Sequence, residues 1–323
     1  MIVKERRIPL KVQKLEALLR RLPMNHPKRK KVEEELSKNI AGYRGEESLN
    51  YHLSFLSKYK HNIFHDLRLQ DNHNRFFQID TLIVTPSYLL ILEVKNITGT
   101  IFFDQVFHQV IRKTNGKEES FPDPLLQVTR QEFQLKSWLI KNGLSSIPIL
   151  SLVAISNPST IIKTNSENGD ISQKIIHAAK IPSTVSVLDN YYKKESHSSK
   201  EVKKVSNLLL KQNTPFNYDI LKKFQLSKTD LIKGIYCPKC LSFLMKKGKG
   251  NWICQQCDHI CKNAHLISLI DYNLLLGSII TNKEIRDFLQ ISSISSASKL
   301  LRSLNLKHEG DFKGRKYILP YVD

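Results

Sequence analysis

The sequence predicts an α/β protein whose mixed sheet is flanked by helices, followed by a helical linker and two small modules, and three observations carry that expectation. Residues 78–95 read as a β-hairpin set between two stretches of helical periodicity. All five cysteines fall between Cys237 and Cys261. From Thr281 onward the chain spells two short amphipathic helices and a basic hairpin. These signals divide the 323 residues into an N-terminal helical segment (1–37), the α/β domain (38–190), a linker (191–232), a cysteine module (233–270) and a last module (271–323).

Fifty Lys and Arg against 30 Asp and Glu give a formal charge of +20. Such an excess favours a polyanionic partner through counterion release, with nucleic acid the first candidate. An anionic membrane fits less well, because no strongly amphipathic basic helix or acylation signal stands out. The start, Met1-Ile-Val-Lys-Glu-Arg-Arg, lacks the apolar core of a signal peptide, and no apolar run approaches the roughly 20 residues that span a bilayer. The expected location is cytoplasmic.

Taken in order, Leu10, Leu15, Leu18, Leu19 and Leu22 give a helical stripe broken at Pro23 and Pro27, and the basic run Lys28-Arg29-Lys30-Lys31 follows. That run suits a solvated helix face or a phosphate contact equally. Ala41-Gly42-Tyr43-Arg44-Gly45 predicts a loop or helix cap, and Glu46 to Lys58 a helix with Leu49, Leu53 and Leu56 facing a core. Glu46 and Glu47 fall in its first turn, where either could simply complement the positive helix end.

Residues 81–84 and 88–92 are β-branched or apolar, and Thr85-Pro86-Ser87 is turn chemistry. With the turn centred on Pro86-Ser87, Asp80 falls opposite Glu93, and Glu93 and Lys95 share one face while Val94 points into a core. Two such carboxylates resist joint ionisation without a cation, which makes a divalent metal the natural occupant. The plainer reading is a same-face ion pair, Glu93 with Lys95, beside a strand-edge Asp80.

Ile101-Phe102-Phe103 and Val106 to Ile111 are further strand candidates, and Asn115-Gly116 marks a turn. Pro124 to Lys141 returns to helical spacing and ends at Asn142-Gly143, and Ile147 to Ile155 reads as a strand buried on both faces. The Ser-, Thr- and Asn-rich stretch 156–174 predicts a loop, and 190–233 predicts helices.

Cys237-Pro-Lys-Cys240 and Cys254-Gln-Gln-Cys257, with Trp252 between them, have the form of a zinc ribbon. Four thiolates close a tetrahedral Zn²⁺ site and leave no position for substrate, so its role is structural. Cys261 could replace Cys257 as a ligand, though a free buried thiol is the plainer reading; His259 and His265 read as ordinary histidines, and Lys246, Lys247 and Lys249 as basic loop residues. Further on, Thr281 caps a helix with Ile285, Phe288 and Leu289 inward. After a break at 290–293, Ile294 to Leu304 forms a second helix with Ala297, Leu300, Leu301 and Leu304 inward. A hairpin carrying Lys313, Arg315 and Lys316 completes a winged-helix pattern. Ser295, Ser296, Ser298, Lys299 and Arg302 are then expected on the outer face of the second helix, toward a DNA groove or a protein partner.

Gly42-Tyr-Arg-Gly-Glu46, Gln78-Ile-Asp80, Glu93-Val-Lys-Asn96 and Asp123-Pro-Leu-Leu-Gln127 resemble, in order, the motifs of the nuclease-related domain, NERD. That family is similar to the restriction-endonuclease-like PD-(D/E)xK superfamily, with its mixed sheet flanked by helices. The resemblance implies Asp80 and Glu93 as Mg²⁺ ligands, Lys95 as the group orienting the attacking water and Glu46 as an added acid, with Gln78 and Gln127 near the site. The Val94 carbonyl is a third candidate metal ligand. Asp123 stands where the family more often has Asn, and Ser87 where Gly is common. The expected function is therefore Mg²⁺-dependent hydrolysis of DNA, targeted by the C-terminal modules. The competing expectation is a non-catalytic DNA-binding or regulatory protein that uses those modules alone.

Overall fold

The computed structural model describes residues 1–144, 147–165, 170–193, 197–248 and 250–320, without the side chains of Asp170 and Lys313. A short strand β1 (Ile2–Lys4) precedes α1 (Leu10–Arg21), which buries Leu15 and Leu18. α2 (Arg29–Leu53) is one helix of 25 residues, so the loop expected at 41–45 is continuous helix and Glu46 and Glu47 sit well inside it. Interior glycines cost a helix about 1 kcal/mol each. The hairpin strands follow: β2 (Asn62–Gln70), β3 (Phe76–Val84) and β4 (Leu89–Lys95).

β5 (Thr100–Asp104), β6 (Gln109–Thr114) and β7 (Lys117–Pro122) come next. Val106 and Phe107 belong to the β5–β6 turn rather than to a strand. β7 is exposed throughout and carries no apolar alternation; the left-handed pair Asn115 (φ 51°) and Gly116 (φ 75°) folds it back onto β6. α3 (Pro124–Lys141) has the expected bounds, because Asp123 accepts a hydrogen bond from the Leu125 N–H as N-cap and Gly143 (φ 62°) follows its end. β8 (Ile149–Ile155) is the expected buried strand. The stretch 156–174 is not all loop: it holds β9 (Ile161–Thr164) and α4 (Asp170–Lys174), both too short to show periodicity. β10 (Ile175–His177), α5 (Ile181–Tyr191), α6 (Ser199–Gln212) and α7 (Ile220–Lys223) lead to the cysteine region.

Two compact units result, Met1–Arg7 with Ile40–Phe216, and Ile8–Asn39 with Asn217–Asp323. In the first, a six-stranded mixed sheet runs β1-β2-β3-β4-β8-β10, with β2, β3 and β4 antiparallel and the remaining pairs parallel. Leu49 and Leu53 of α2 and Val185 of α5 cover one face with Ile83, Leu90 and Leu92. Leu135 and Trp138 of α3 and Val205 and Leu209 of α6 cover the other with Leu82, Leu89 and Ile91. A second sheet, β7-β6-β5-β9, joins the three strands between β4 and α3 to β9, which follows β8.

In the second unit, β11 (Met245–Lys247), β12 (Trp252–Cys254) and β13 (Ile260–Cys261) form a small antiparallel sheet beside α8 (Ala264–Leu276). β14 (Ile279–Thr281), α9 (Asn282–Leu289), α10 (Ile294–Ser303), β15 (Lys307–Glu309) and β16 (Lys316–Ile318) complete it, with the strands ordered β14-β16-β15. Thr281 and Glu284 make the capping box that starts α9. The expected inward residues Ile285, Phe288, Leu289, Ala297, Leu300 and Leu301 share one core with Trp252 and Ile280. Among the described residues, no helix is long and apolar enough to cross a membrane.

Candidate active site

The hairpin closes without glycine because Thr85 Oγ1 accepts hydrogen bonds from the Ser87 and Tyr88 N–H groups (3.1 and 2.9 Å), while Thr85 N–H donates to the Tyr88 carbonyl (3.0 Å). Neither Pro86 nor Ser87 needs a positive φ. The resulting register pairs Thr81 with Leu92 and Val84 with Leu89, so Asp80 and Glu93 are the next opposed residues, as the sequence predicts. Asp80 Oδ2 accepts a hydrogen bond from the Val94 N–H at 2.9 Å, which carries the carboxylate across to β4.

Side-chain alternation breaks at this point. Ile83 packs with α2, yet Ile79, four residues earlier, packs with α3; on β2, Ile63 and Leu67 part in the same way. The cause is Asp66, whose backbone is left-handed (φ 51°) and which lies between the ladder pairs His65–Thr81 and Leu67–Ile79, opposite Asp80. The irregularity lets apolar residues on both sides stay buried while Asp66 and Asp80 remain half-buried at the break.

Glu93 is 3% exposed and ion-pairs with Lys95 Nζ at 2.7 Å. α3 presents two glutamines one turn apart to this pair. Gln127 Nε2 donates to Glu93 Oε1 (2.7 Å) and its Oε1 accepts from Lys95 Nζ (3.0 Å), while Gln131 Nε2 donates to Glu93 Oε2 (2.8 Å) and to the Gln78 carbonyl (2.9 Å). Gln78 thus meets the site through its backbone, its side chain being exposed. The sequence reading missed Gln131; the available signal was its i,i+4 spacing from Gln127 on an otherwise apolar stripe.

Glu46 comes from α2. A Cβ on Gly45 would lie 2.4 Å from Asn96 Cβ and 2.9 Å from Ser156 Oγ, so only glycine lets the helix pass this close to the ends of β4 and β8. Asn96 Nδ2 fixes the approach by donating to the Ala41 carbonyl (2.7 Å). Glu46 ion-pairs with Arg6, whose Nη1 also lies 3.4 Å from Asp66 Oδ1. Arg6 Nη2 donates to Thr81 Oγ1 (2.9 Å) and meets His65 Nδ1 (3.0 Å). Burial together with Arg6 and Lys4 pushes His65 down to about 3, so it stays neutral. Arg6, His65 and Asp66 carry no local sequence signal, since the fold alone brings residue 6 to residues 46, 66 and 81.

The carboxylates act on one another. Burial, then Asp80, pushes Glu46 up to about 8, against the pull of Arg6; burial, then Glu93, pushes Asp80 up to about 7, against the Val94 N–H and Lys95. Burial raises Asp66 as well. This surplus of buried negative charge suits a bound cation. A carboxylate has about four acceptor positions, and three donors occupy those of Glu93, leaving room for one more contact. Among the described residues, no three carboxylates of this region bring ligand atoms within 4.8 Å of one another. Such a sparse set fits Mg²⁺, which keeps several of its waters, better than a cation needing a full protein cage.

The four cysteines of the two knuckles do converge, with all sulfurs within 4.8 Å of one another; Cys237–Cys257 and Cys240–Cys254 are 3.8 and 3.5 Å apart. Tetrahedral zinc thiolate implies sulfurs about 3.8 Å apart. Both knuckles have the same left-handed residue after their second cysteine, Leu241 (φ 65°) and Asp258 (φ 54°). Cys261 stands outside the group, and His265 accepts a hydrogen bond from Trp252 Nε1 (3.0 Å).

On the last module Lys299, Arg302, Lys316 and Ser295 are exposed, and Ser296 and Ser298 are half-buried; Ser298 Oγ accepts from Asn282 Nδ2. Arg315 is half-buried, 3.6 Å from Asp311, while Lys249 and the Lys313 side chain lie outside the described residues.

No curated protein and no solved structure matches the chain. Residues 41–156, which contain Glu46, Asp80, Glu93, Lys95 and Gln127, match the family model of NERD, the nuclease-related domain, and this segment of the chain is a domain of that nuclease-related family.

Proposed function

We propose that the chain is a Mg²⁺-dependent nuclease that hydrolyses phosphodiester bonds in DNA. The observation that carries this reading is the side-by-side placement of Asp80, held by the Val94 N–H, with Glu93 and Lys95, which Gln127 and Gln131 tie together. Asp80, Glu93 and the Val94 carbonyl would hold the ion. Once bound, Mg²⁺ supplies Lewis-acid polarisation of a phosphate oxygen and a more acidic water. Lys95 has three N–H donors; Glu93 and Gln127 take two, and the third would orient the attacking water and stabilise charge growing at phosphorus. Gln127 and Gln131 hold Lys95 and Glu93 in one geometry, which lowers the cost of positioning. Glu46, paired with Arg6, would lie beside the ion rather than on it.

The four cysteine thiolates would bind Zn²⁺ in a closed structural site, and reduced thiolates suit a cytoplasmic location. The order α8, β14, α9, α10, β15, β16 supports a winged-helix module, with Lys299, Arg302, Lys313, Arg315 and Lys316 as phosphate contacts. The test is incubation of the purified chain with supercoiled, linear and single-stranded DNA and Mg²⁺. Cleavage abolished by chelation, and reduced about 10²-fold or more in Asp80→Ala and Lys95→Ala, is expected. Absence of cleavage of every DNA form, with both variants behaving like the parent, leaves a non-catalytic DNA-binding protein.

A further inference from the structure

We propose that Arg6 is the resident cation of the acidic centre. It occupies, between Glu46 and Asp66, the place a second divalent ion would take, so the centre accepts one metal ion rather than two. The inference rests on the metal-dependent reading above and extends it to a residue outside the matched segment 41–156.

The Arg6 side chain is 2% exposed. Its Nη1 serves both Glu46 and Asp66, and its Nη2 is held by Thr81 Oγ1, His65 Nδ1 and, at 3.4 Å, the Asp80 carbonyl. The residues before it are anchored as firmly: the Ile63 N–H donates to the Met1 carbonyl, and Lys4 Nζ donates to the His65 and Asp66 carbonyls at 2.6 and 3.0 Å. Four carboxylates lie close enough to act on one another electrostatically, Glu46, Asp66, Asp80 and Glu93, without gathering into one ligand cage. Arg6 neutralises the Glu46–Asp66 side and Lys95 pairs with Glu93, which leaves Asp80 as the carboxylate without a cation of its own. A guanidinium stays protonated at all working pH values and repels a dication placed beside it. A single ion at Asp80 and Glu93 is what the charge arrangement accepts.

The experiment counts Mn²⁺ ions bound to the full chain by electron paramagnetic resonance and calorimetry, with the cysteine site loaded with zinc and no DNA present. One Mn²⁺ is expected for the parent and two for Arg6→Gln, whereas an Arg6 that only braces the fold would leave the count at one. Should Arg6→Gln fail to fold, Glu46→Gln decides: bound to Arg6 rather than to metal, Glu46 can be neutralised with the count still one and the affinity within about threefold. Two ions on the parent, an unchanged count in folded Arg6→Gln, or loss of the ion in Glu46→Gln overturns the proposal. A parent that binds no Mn²⁺ removes the metal-dependent reading itself and this inference with it.

Discussion

The two glycines inside α2 are expected to respond to alanine with opposite signs. At Gly42 an added Cβ meets nothing within 4 Å, so Gly42→Ala should gain the helix-propensity difference of about 1 kcal/mol. At Gly45 the same Cβ would stand 2.4 Å from Asn96 Cβ, an atom fixed by the backbone at the end of β4, and 2.9 Å from Ser156 Oγ. Ordinary contact needs about 3.5–4 Å, so the helix or the strand end must shift by about 1 Å. Overpacking of that kind costs about 1–3 kcal/mol, which outweighs the propensity gain and leaves a net loss of about 1 kcal/mol. The first unit has a size at which 1 kcal/mol moves Tm by about 2–4 °C, so the two variants should separate by about 4–8 °C. Thermal unfolding of the full chain followed by circular dichroism reads this directly. If Gly45→Ala is stabilised as much as Gly42→Ala, the close approach of α2 to the strand ends is wrong, and the placement of Glu46 falls with it.

Asp80 holds its proton to about 7 in the folded, metal-free protein, against about 4 in an unfolded chain. Between these values the folded state binds more protons, so this contribution to stability is fullest at or below about pH 4 and declines as pH rises toward 7. A divalent ion held by Asp80 must displace that proton; Mg²⁺ affinity should therefore rise from pH 6 to 8.5, with proton release visible as a buffer-dependent calorimetric heat, and a flat profile would refute the assignment. Chelating the metal of the cysteine site should abolish the tertiary signal of Trp252 while the six-stranded sheet keeps its circular dichroism; retention of the Trp252 signal would argue against a metal-ordered ribbon. Lys299→Glu together with Arg302→Glu should lower the log–log salt slope of DNA binding by about 2, at about 1 per lost phosphate contact. An unchanged slope would move the binding face elsewhere.

What could be read from the sequence is what local chemistry decides. The bounds of α3 follow from an Asp-Pro start and an Asn-Gly end, and the register of β3 on β4 follows from Thr85-Pro86-Ser87 and the apolar runs on each side. Cysteine spacing placed the four thiols because two short knuckles leave the sulfurs little freedom. The failures share one physical origin, contacts remote in sequence that override local preference. Gly42 and Gly45 look like a helix break because their propensity is poor, yet the helix continues because it packs against Asn96 and Ser156. β9 is four residues long and pairs with a strand some 60 positions away, so no alternation marks it. Arg6 reads as one more charge in a basic N-terminus.

That last failure bears on how the site is held together. A regular ladder would keep Ile79 and Ile83 on one face; the reversal at Asp66 instead lets strand residues on either side of Asp80 bury themselves in different layers. A left-handed aspartate costs of the order of 1 kcal/mol, and four neighbouring carboxylates add repulsion. Both penalties sit where Lys4 and Arg6 bind: Lys4 on the carbonyls of His65 and Asp66, Arg6 on the side chains of Glu46 and Asp66. Removing one partner of a buried ion pair costs about 3–5 kcal/mol, a large share of the 5–15 kcal/mol that holds a typical domain. The segment that carries the acidic residues is therefore incomplete without the first seven residues of the chain, because the cations that make its geometry affordable come from there.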